Sequence, residues 1–594
     1  MDGPVKESLV WQIIERVRGA MEPWHALELV LQVLVWEKWS NEGRLPVSLR
    51  FSKALDIQQC IDIWQQFGRH DASLKQAFPD TRTLASSGAS TLQATLEVVY
   101  QLRETGVLNT DDVTDLVVRL PTSSGGEIAR PAELVELMSA VCQIQHGDTL
   151  YAPWDSSAQL SVRCAQHGAH VYLETPVPSP LPALIGLLTD GAFTVHHGDP
   201  ISSPTAIENG RPRRFGIAIA FPPLNQRYDN EVVNRDWFGR FPEKTQSGTV
   251  LAIRHLLAHA TSRIVVAVAP SLLFSRGGEH ALREDLVRRG VVETVVAMPG
   301  GCLIGTNIPF ALLVLDPRGG HQTVRFINAD GDKFREPVSK ARTRLINVPE
   351  LISLVVGEST NDDAVAVVPV AEILGNDAQL QVSRYVLPPS QRRLQVKMAN
   401  ARQVSLGELV TTIRPVSTKP GADGDRFDVW EIGASDLPPF GYIQAPTKTI
   451  SVEGHNVQAK QYLMPYDIVL IVKGSVGKLG IVPGDVPPPG PGGWVAGVSA
   501  IVLRVDREDV EPRALALQLR SPLGQGLLRS IVSGGTTIRM INLHELTRLA
   551  VWLPPLAEAH AAAQALEEEA RIQQEISRLS RLQGEVAAGL WTLD

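Results

Sequence analysis

"FGIAIAFPPLNQR", Phe215–Arg227, is the stretch that decides the fold. Its first six residues are apolar or small and run the length of a buried strand, and the Pro222-Pro223 pair then stops the strand in a turn. The same grammar recurs on both sides. "DTLYAP", "HVYLET" and "FTVHHGD" precede it, and "RIVVAVAP", "VETVVAMPG" and "PFALLVLDP" follow. Helical runs such as "GTVLAIRHLLAHA" and "EHALREDLVRRG" lie between them. Apolar strands alternating with helices predict a doubly wound α/β sheet, largely parallel, over about 116–355. Such folds hold ligands at the carboxyl ends of the strands, so chemistry is sought in the turns that follow them.

Composition bounds the rest. The chain has 594 residues, 44% hydrophobic and 20% charged, with 48 Gly and 41 Pro, which is a globular balance with room for three or four domains. Its four cysteines (Cys60, Cys142, Cys164, Cys302) are scattered, form no metal-type pair and read as core residues of a cytoplasmic chain. The opening "MDGPVKESLVWQIIERV" carries early acidic residues and no apolar leader core, and no apolar run reaches membrane-spanning length. A net charge of −8 argues against a generally basic nucleic-acid coat and leaves room for a local patch.

Residues 1–115 read as a helical domain, with Pro23 breaking two helices. A Pro- and polar-rich connecting tail is expected over 356–403. Residues 404–555 are strand-rich, full of Gly and Pro, and nearly neutral. After "WLPPL" a long amphipathic helix is expected over 556–594. Its Ile572, Ile576, Leu579, Leu582, Val586 and Leu590 recur at three- and four-residue steps, a coiled-coil character.

Four stretches together resemble the methylation subunit of type I restriction–modification systems, the N6-adenine DNA methylases. They are "SSGGEIARPAELVELM" (Ser123–Met138), "HHGDPI" (His196–Ile201), the run from "LLFSRGGEH" to "NIPFALLVL", and "QLQVSRYVLP" (Gln379–Pro388). Downstream, "VSLGELV", "DVWEIGASDLPPFGYI", "LMPYDIVLIVKGSVGKLGIV" and "GTTIRMINLHELTRLAVWLPPLAEA" resemble one target-recognition domain of a type I specificity subunit, with its helical spacer. The resemblance implies a class I S-adenosylmethionine-dependent methyltransferase-like domain behind a helical N-terminus. An α+β DNA target-recognition domain and a coiled-coil helix would follow it.

The resemblance also says where chemistry should be. The family's cofactor loop, Asp-Pro-x-x-Gly-Ser-Gly, falls on Ala152–Ala158, where Pro153 and Ser157 are kept, Ser156 takes a Gly position, and the acid and both glycines are gone. Glu174 takes the place of the acid that holds ribose hydroxyls, and Asp199 is kept in the Gly-Asp loop. The catalytic Asn-Pro-Pro-Phe falls on Phe221, Pro222, Pro223 and Leu224. In that motif an amide oxygen positions the amino group under attack and the aromatic stacks on the flipped base. Phe221 has no acceptor and Leu224 no π face. Losing one such hydrogen bond costs roughly 10²–10³ in rate.

The bland readings stand beside these. Glu174 and Asp199 are equally suited to capping loops. His196 and His197 are adjacent on a strand and face opposite sides, so no metal is expected. Lys473, Lys478 and Arg539 suit phosphate contact better than base readout. The expectation is therefore a sequence-specific DNA-binding recognition or scaffold subunit with a weak or silent methylase fold, working beside an active methylase in restriction–modification or phage defence. Its partners would be double-stranded DNA and, through the last helix, a second copy or a related chain. Two rivals remain: an active N6-adenine methyltransferase with a divergent site, and a non-methylating DNA-binding regulator.

Overall fold

The computed structural model describes residues 23–104, 130–387, 403–415, 426–453, 458–533 and 540–588, apart from 177, 191–192, 304–305, 340–341 and 358–361. Expectations for 123–129, 388–402, 534–539 (with Arg539) and Leu590 lie outside the described residues. The chain divides into two compact units, Met1–Val386 and Leu387–Asp594.

In the first unit nine strands form one sheet: β1 (Thr149–Pro153), β2 (His170–Thr175), β3 (Phe193–His197), β4 (Phe215–Ala220), β5 (Ala260–Val268), β6 (Val292–Met298), β7 (Phe310–Leu315), β8 (Thr323–Asn328) and β9 (Val365–Pro369). Their order is β9-β8-β6-β7-β5-β4-β1-β2-β3. The five strands from β3 to β5 are parallel. β7 is inserted antiparallel between β5 and β6, and β9 closes the far edge antiparallel to β8.

Alternate residues of β4 enter different cores. Ile217, Ile219 and Phe221 join one with Leu134, Leu160 and Phe310, while Ala218 and Ala220 join the other with Leu251 and Leu282. Burial on both faces is why these strands read as unbroken apolar runs. β8 and β9 were not read from the sequence. β9 lies past residue 355, within the passage read as a connecting tail. There Val365, Val368, Ile373, Leu380, Val382 and Val386 are all buried. β9 is a five-residue apolar edge strand, with two residues buried and two exposed.

The described N-terminal helices run from Pro23–Asn41 to Ala89–Glu104. They enclose Trp36, Trp64, Phe67 and Phe78 in edge-to-face contacts with centroids 4.8–6.1 Å apart. The same core takes in Val162, Leu173, Leu184, Ile185 and Val195. This helical layer therefore shares its interior with the sheet. Lys38 Nζ also caps the helix Leu181–Thr189 through the carbonyls of Leu187 and Leu188.

The second unit is α+β. An antiparallel sheet runs Val410–Ile413, Ala500–Val505, Ile468–Ile471, Leu479–Ile481, and a three-stranded sheet holds Lys448–Glu453, Arg426–Ile432 and Trp494–Ala496. Arg504 pairs with the buried Asp467 to lock the middle of the first sheet. The helix Leu556–Ala588 docks through buried Ala559, Ala563 and Leu566 and through ion pairs of Glu567 with Arg513 and Glu569 with Arg520. Beyond Glu569 its stripe of Ile572, Ile576, Leu579, Leu582 and Val586 stands 43–76% exposed. Among the described residues no helix is long and apolar enough to cross a membrane.

Candidate functional site

β1 sits between β2 and β4, so the chain leaves β1 toward β3 and returns on its other side at β4. That reversal opens a crevice at the carboxyl ends of β1 and β4, where α/β sheets hold ligands. Two turns border it, the one after Pro153 and the one at Phe221–Leu224.

The guanidinium of Arg130 bridges both turns. It donates to Asp155 Oδ1 (3.3 Å), Ser157 Oγ (3.1 Å) and the Trp154 carbonyl (3.3 Å), and its carbon lies 5.1 Å from the centroid of the Phe221 ring. Gln159 clamps the Arg130 backbone from both ends of its amide. Asp155 Oδ2 accepts from Ser161 N and Oγ at 2.8 Å, so the carboxylate is satisfied on both oxygens. Both side chains of the pair are 1% exposed. The loop keeps a glycine-type path without glycine: Ala158, at the last Gly position of the family pattern, has φ 56°, and Trp154 has φ 61°. A left-handed alanine costs about 1–2 kcal/mol, which the buried pair must hold in place.

Glu174 ends β2 opposite Pro153 and is fully buried. One oxygen accepts from Thr205 N and Oγ1, the other from Tyr151 Oη. Burial raises its carboxyl above the ordinary range, against the pull of those three donors. The ribose role implied by the resemblance thus meets a carboxylate turned inward. Tyr151 Oη also meets His255 Nε2 (2.8 Å), and His255 Nδ1 meets Arg240 (2.7 Å). Arginine only donates, so Nδ1 accepts, Nε2–H donates to Tyr151, and Tyr151 donates to Glu174. Burial, with His259 and Arg240 nearby, holds His255 well below the usual imidazole range.

Asp199 caps its own loop, accepting from Ile201 N (2.9 Å) and Ser202 N (2.8 Å), while Tyr228 Oη donates to its second oxygen. Gly198 before it has no room for a side chain, since a Cβ would stand 2.6 Å from the Ser203 carbonyl. Ser156 Oγ pairs with Thr175 Oγ1 at 2.6 Å. Phe221 is 5% exposed and packs on Phe310 (5.3 Å), and Leu224 is half-buried in the same core. Pro223 alone of the motif is exposed.

These residues do not fit S-adenosylmethionine. The place of the glycine cradle is bridged by Arg130, and both oxygens of the acid after β2 are bound to protein donors. Among the described residues no group of three His, Cys, Asp or Glu is placed to hold a metal. His196 instead stacks on Tyr172 at 3.9 Å. In the second unit, Lys473 is exposed and bridges in antiparallel register to Met540, and Lys478 Nζ donates to the Ala434 carbonyl.

Sequence reasoning met Arg130 and Asp155 only as altered positions of the entry and cofactor motifs, without their pairing, and did not find Tyr151, His255 or Arg240. The available signal was two histidines four residues apart on an apolar helix, in "AIRHLLAHA".

Two measurements check this geometry. Arg130→Met leaves Asp155 buried and unpaired, so urea unfolding should show a loss of about 3–5 kcal/mol. Adding Asp155→Asn should recover at least half of it, and a single-variant loss under about 1 kcal/mol would contradict the bridge. The second concerns pH. Burial lowers His259 from 6.5 to about 4, and it is 1% exposed. The unfolded chain therefore binds the extra proton first, so stability is full above pH 6.5 and falls as pH drops toward 4. This histidine accounts for about 3 kcal/mol of that fall. His259→Gln should flatten the slope in this window, and an unchanged slope would place the titration elsewhere.

Comparison with known proteins follows the same lines. Residues 186–393 match the N-6 DNA Methylase family. A type I restriction enzyme MjaVII methylase subunit of Methanocaldococcus jannaschii is 22% identical over 295 residues, 45% of this chain and 50% of that one. The match thus spans about half the length of the curated relative. The type I restriction-modification methyltransferase subunit of Streptococcus thermophilus superposes with a TM-score of 0.54 at 15% identity, covering 64% of this chain and 99% of that one. A chain from a structural study of type I R-M complex assembly and conformational transition gives 0.50 at 14% identity, covering 67% and 95%. The chain therefore carries the fold of a type I methyltransferase subunit, with its N-6 DNA methylase match over residues 186–393.

Proposed function

We propose that this chain is a DNA-recognition and scaffold subunit of a restriction–modification or phage-defence system, with a methylase fold that does no methyl transfer of its own. The observation that carries the reading is Arg130, whose buried guanidinium joins the turn after β1 to Phe221. The site then has neither a glycine cradle nor an amide acceptor for an adenine amino group, and an active methylase would be a separate chain. Residues 404–555 would read DNA. In support, exposed Lys473 stands beside Met540, within the stretch that resembles a specificity-subunit target-recognition domain.

Calorimetry should give no S-adenosylmethionine binding and radiolabel assays no methyl incorporation by the lone chain, even with Phe221→Asn and Leu224→Phe together. In mobility shifts, deleting 401–594 should abolish sequence-specific DNA binding. Methyl incorporation lost on Asp199→Ala would favour the active-enzyme reading instead.

The last helix supports a partner. Its exposed stripe of five aliphatic residues lies on one side of a helix about 50 Å long. A second copy, or a related chain with the same helix, would bury it and bring two recognition domains together, giving a bipartite DNA target. Light scattering should show an assembly that Ile576→Glu with Leu579→Glu dissociates. A monomer with and without DNA, indifferent to both changes, would refute this.

A further inference from the structure

The segment from Tyr228 to Ser247 leaves the fold and returns to it. Its base is closed where Tyr228 N donates to Gln246 O (3.0 Å), Gly248 N to Gln226 O (2.8 Å), and Arg227 bridges Ser247. Its interior is braced by a buried ion pair. Arg240 Nε donates to Asp236 Oδ1 at 2.8 Å, and the two side chains are 3% and 4% exposed. The remaining Arg240 donors hold the carbonyls of Pro200 (3.0 Å) and Ile201 (2.7 Å) and His255 Nδ1 (2.7 Å), while Phe238 and Phe241 lie against the guanidinium. This ties the excursion to the Asp199 loop at the carboxyl edge of the sheet, where Tyr228 also reaches Asp199.

At the tip of this braced turn, between Asp236 and Phe238, Trp237 is 94% exposed. An indole in a floppy loop would fold back onto apolar surface, and burial on that scale is worth about 2–3 kcal/mol. Here its two neighbours are held under Arg240, so the ring is kept in water on a rigid mount. Trp237 is the only exposed Phe, Tyr or Trp among the described residues of this unit, and no second large apolar side chain of the excursion is exposed, whereas the anchors of protein hot spots cluster. Two of the excursion's carboxylates, Asp236 and Glu243, are taken by Arg240 and Arg254, and Glu231 by Arg235. Arg227, Lys244 and the carboxylate of Asp229 stand exposed within ten residues of Trp237 in the chain. A lone flat π face suits a nucleobase better than the clustered anchors of a protein surface. Only an unstacked base offers a free face.

We infer that Trp237 is a stacking platform for an unpaired base of DNA bound at the carboxyl edge of the sheet. This rests on the DNA-recognition reading above, and it supplies outside the core the aromatic face that Phe221 and Leu224 do not present. Because the platform carries no charge, it adds affinity without adding salt dependence.

The test uses the full chain, a mixed-sequence single-stranded 30-mer and the corresponding fully paired duplex. Trp237→Ala should weaken single-strand binding roughly 5- to 150-fold with an unchanged salt slope, and should leave duplex binding and the thermal midpoint in place. Trp237→Phe should retain most of the affinity. Equal binding by wild type and Trp237→Ala overturns the inference, as does an equal loss on both probes. So does unchanged DNA binding combined with loss of a co-purifying partner chain, which would make Trp237 a protein contact. If wild type itself binds neither probe, the DNA-recognition reading fails and the inference falls with it.

Discussion

The buried pair of Arg130 and Asp155 ties together three pieces of chain that otherwise meet only at the carboxyl edge of the sheet. The guanidinium takes the Trp154 carbonyl and Ser157 Oγ on one side and lies over Phe221 on the other. Asp155 in turn receives the first turn of the helix Gln159–Gln166. A buried ion pair of this kind gives little net stability against an apolar replacement, but breaking it is expensive. It therefore acts as a geometric constraint: Ala158 stays left-handed and Phe221 stays under the guanidinium because moving either would strip a buried charge.

A second buried line runs alongside it, from Glu174 through Tyr151 and His255 to Arg240 and Asp236. Its proton order is dictated from the arginine end, since that group has no acceptor to offer. The line anchors three loops at once: the turn at Thr205, the Asp199 loop through the Pro200 and Ile201 carbonyls, and the excursion that carries Trp237. Groups that a ligand would need for binding are spent on each other. The edge becomes a rigid frame, and Pro223, Arg227, Lys244 and the Trp237 indole are among the groups left outward.

The second unit solves a different problem. Its two small sheets bury a modest core, and the helix Leu556–Ala588 is fastened to it only over its first turns, through Leu566 and the Glu567 and Glu569 ion pairs. Past that point nothing among the described residues of this unit covers the aliphatic stripe. A partner helix of the kind proposed above would cover it.

The sequence by itself determined the sheet. Seven of nine strands were legible, most of them because double burial writes an apolar run, and the long helix was legible because its aliphatic residues recur every three and four, although that stripe stands exposed. The altered positions in the cofactor and catalytic turns were also legible, since a missing glycine or amide is visible as a letter. β9, a five-residue run within the passage read as a connecting tail, was not. Nor was the Arg130 bridge, whose partners lie 25 and 27 residues away. The line from Glu174 to Arg240 joins residues as far as 104 apart. Periodicity reports a residue's own burial. Which polar groups meet across the crevice depends on where the strands bring their ends, and only the tertiary structure decided that Glu174 turns inward and that Arg130 closes the crevice.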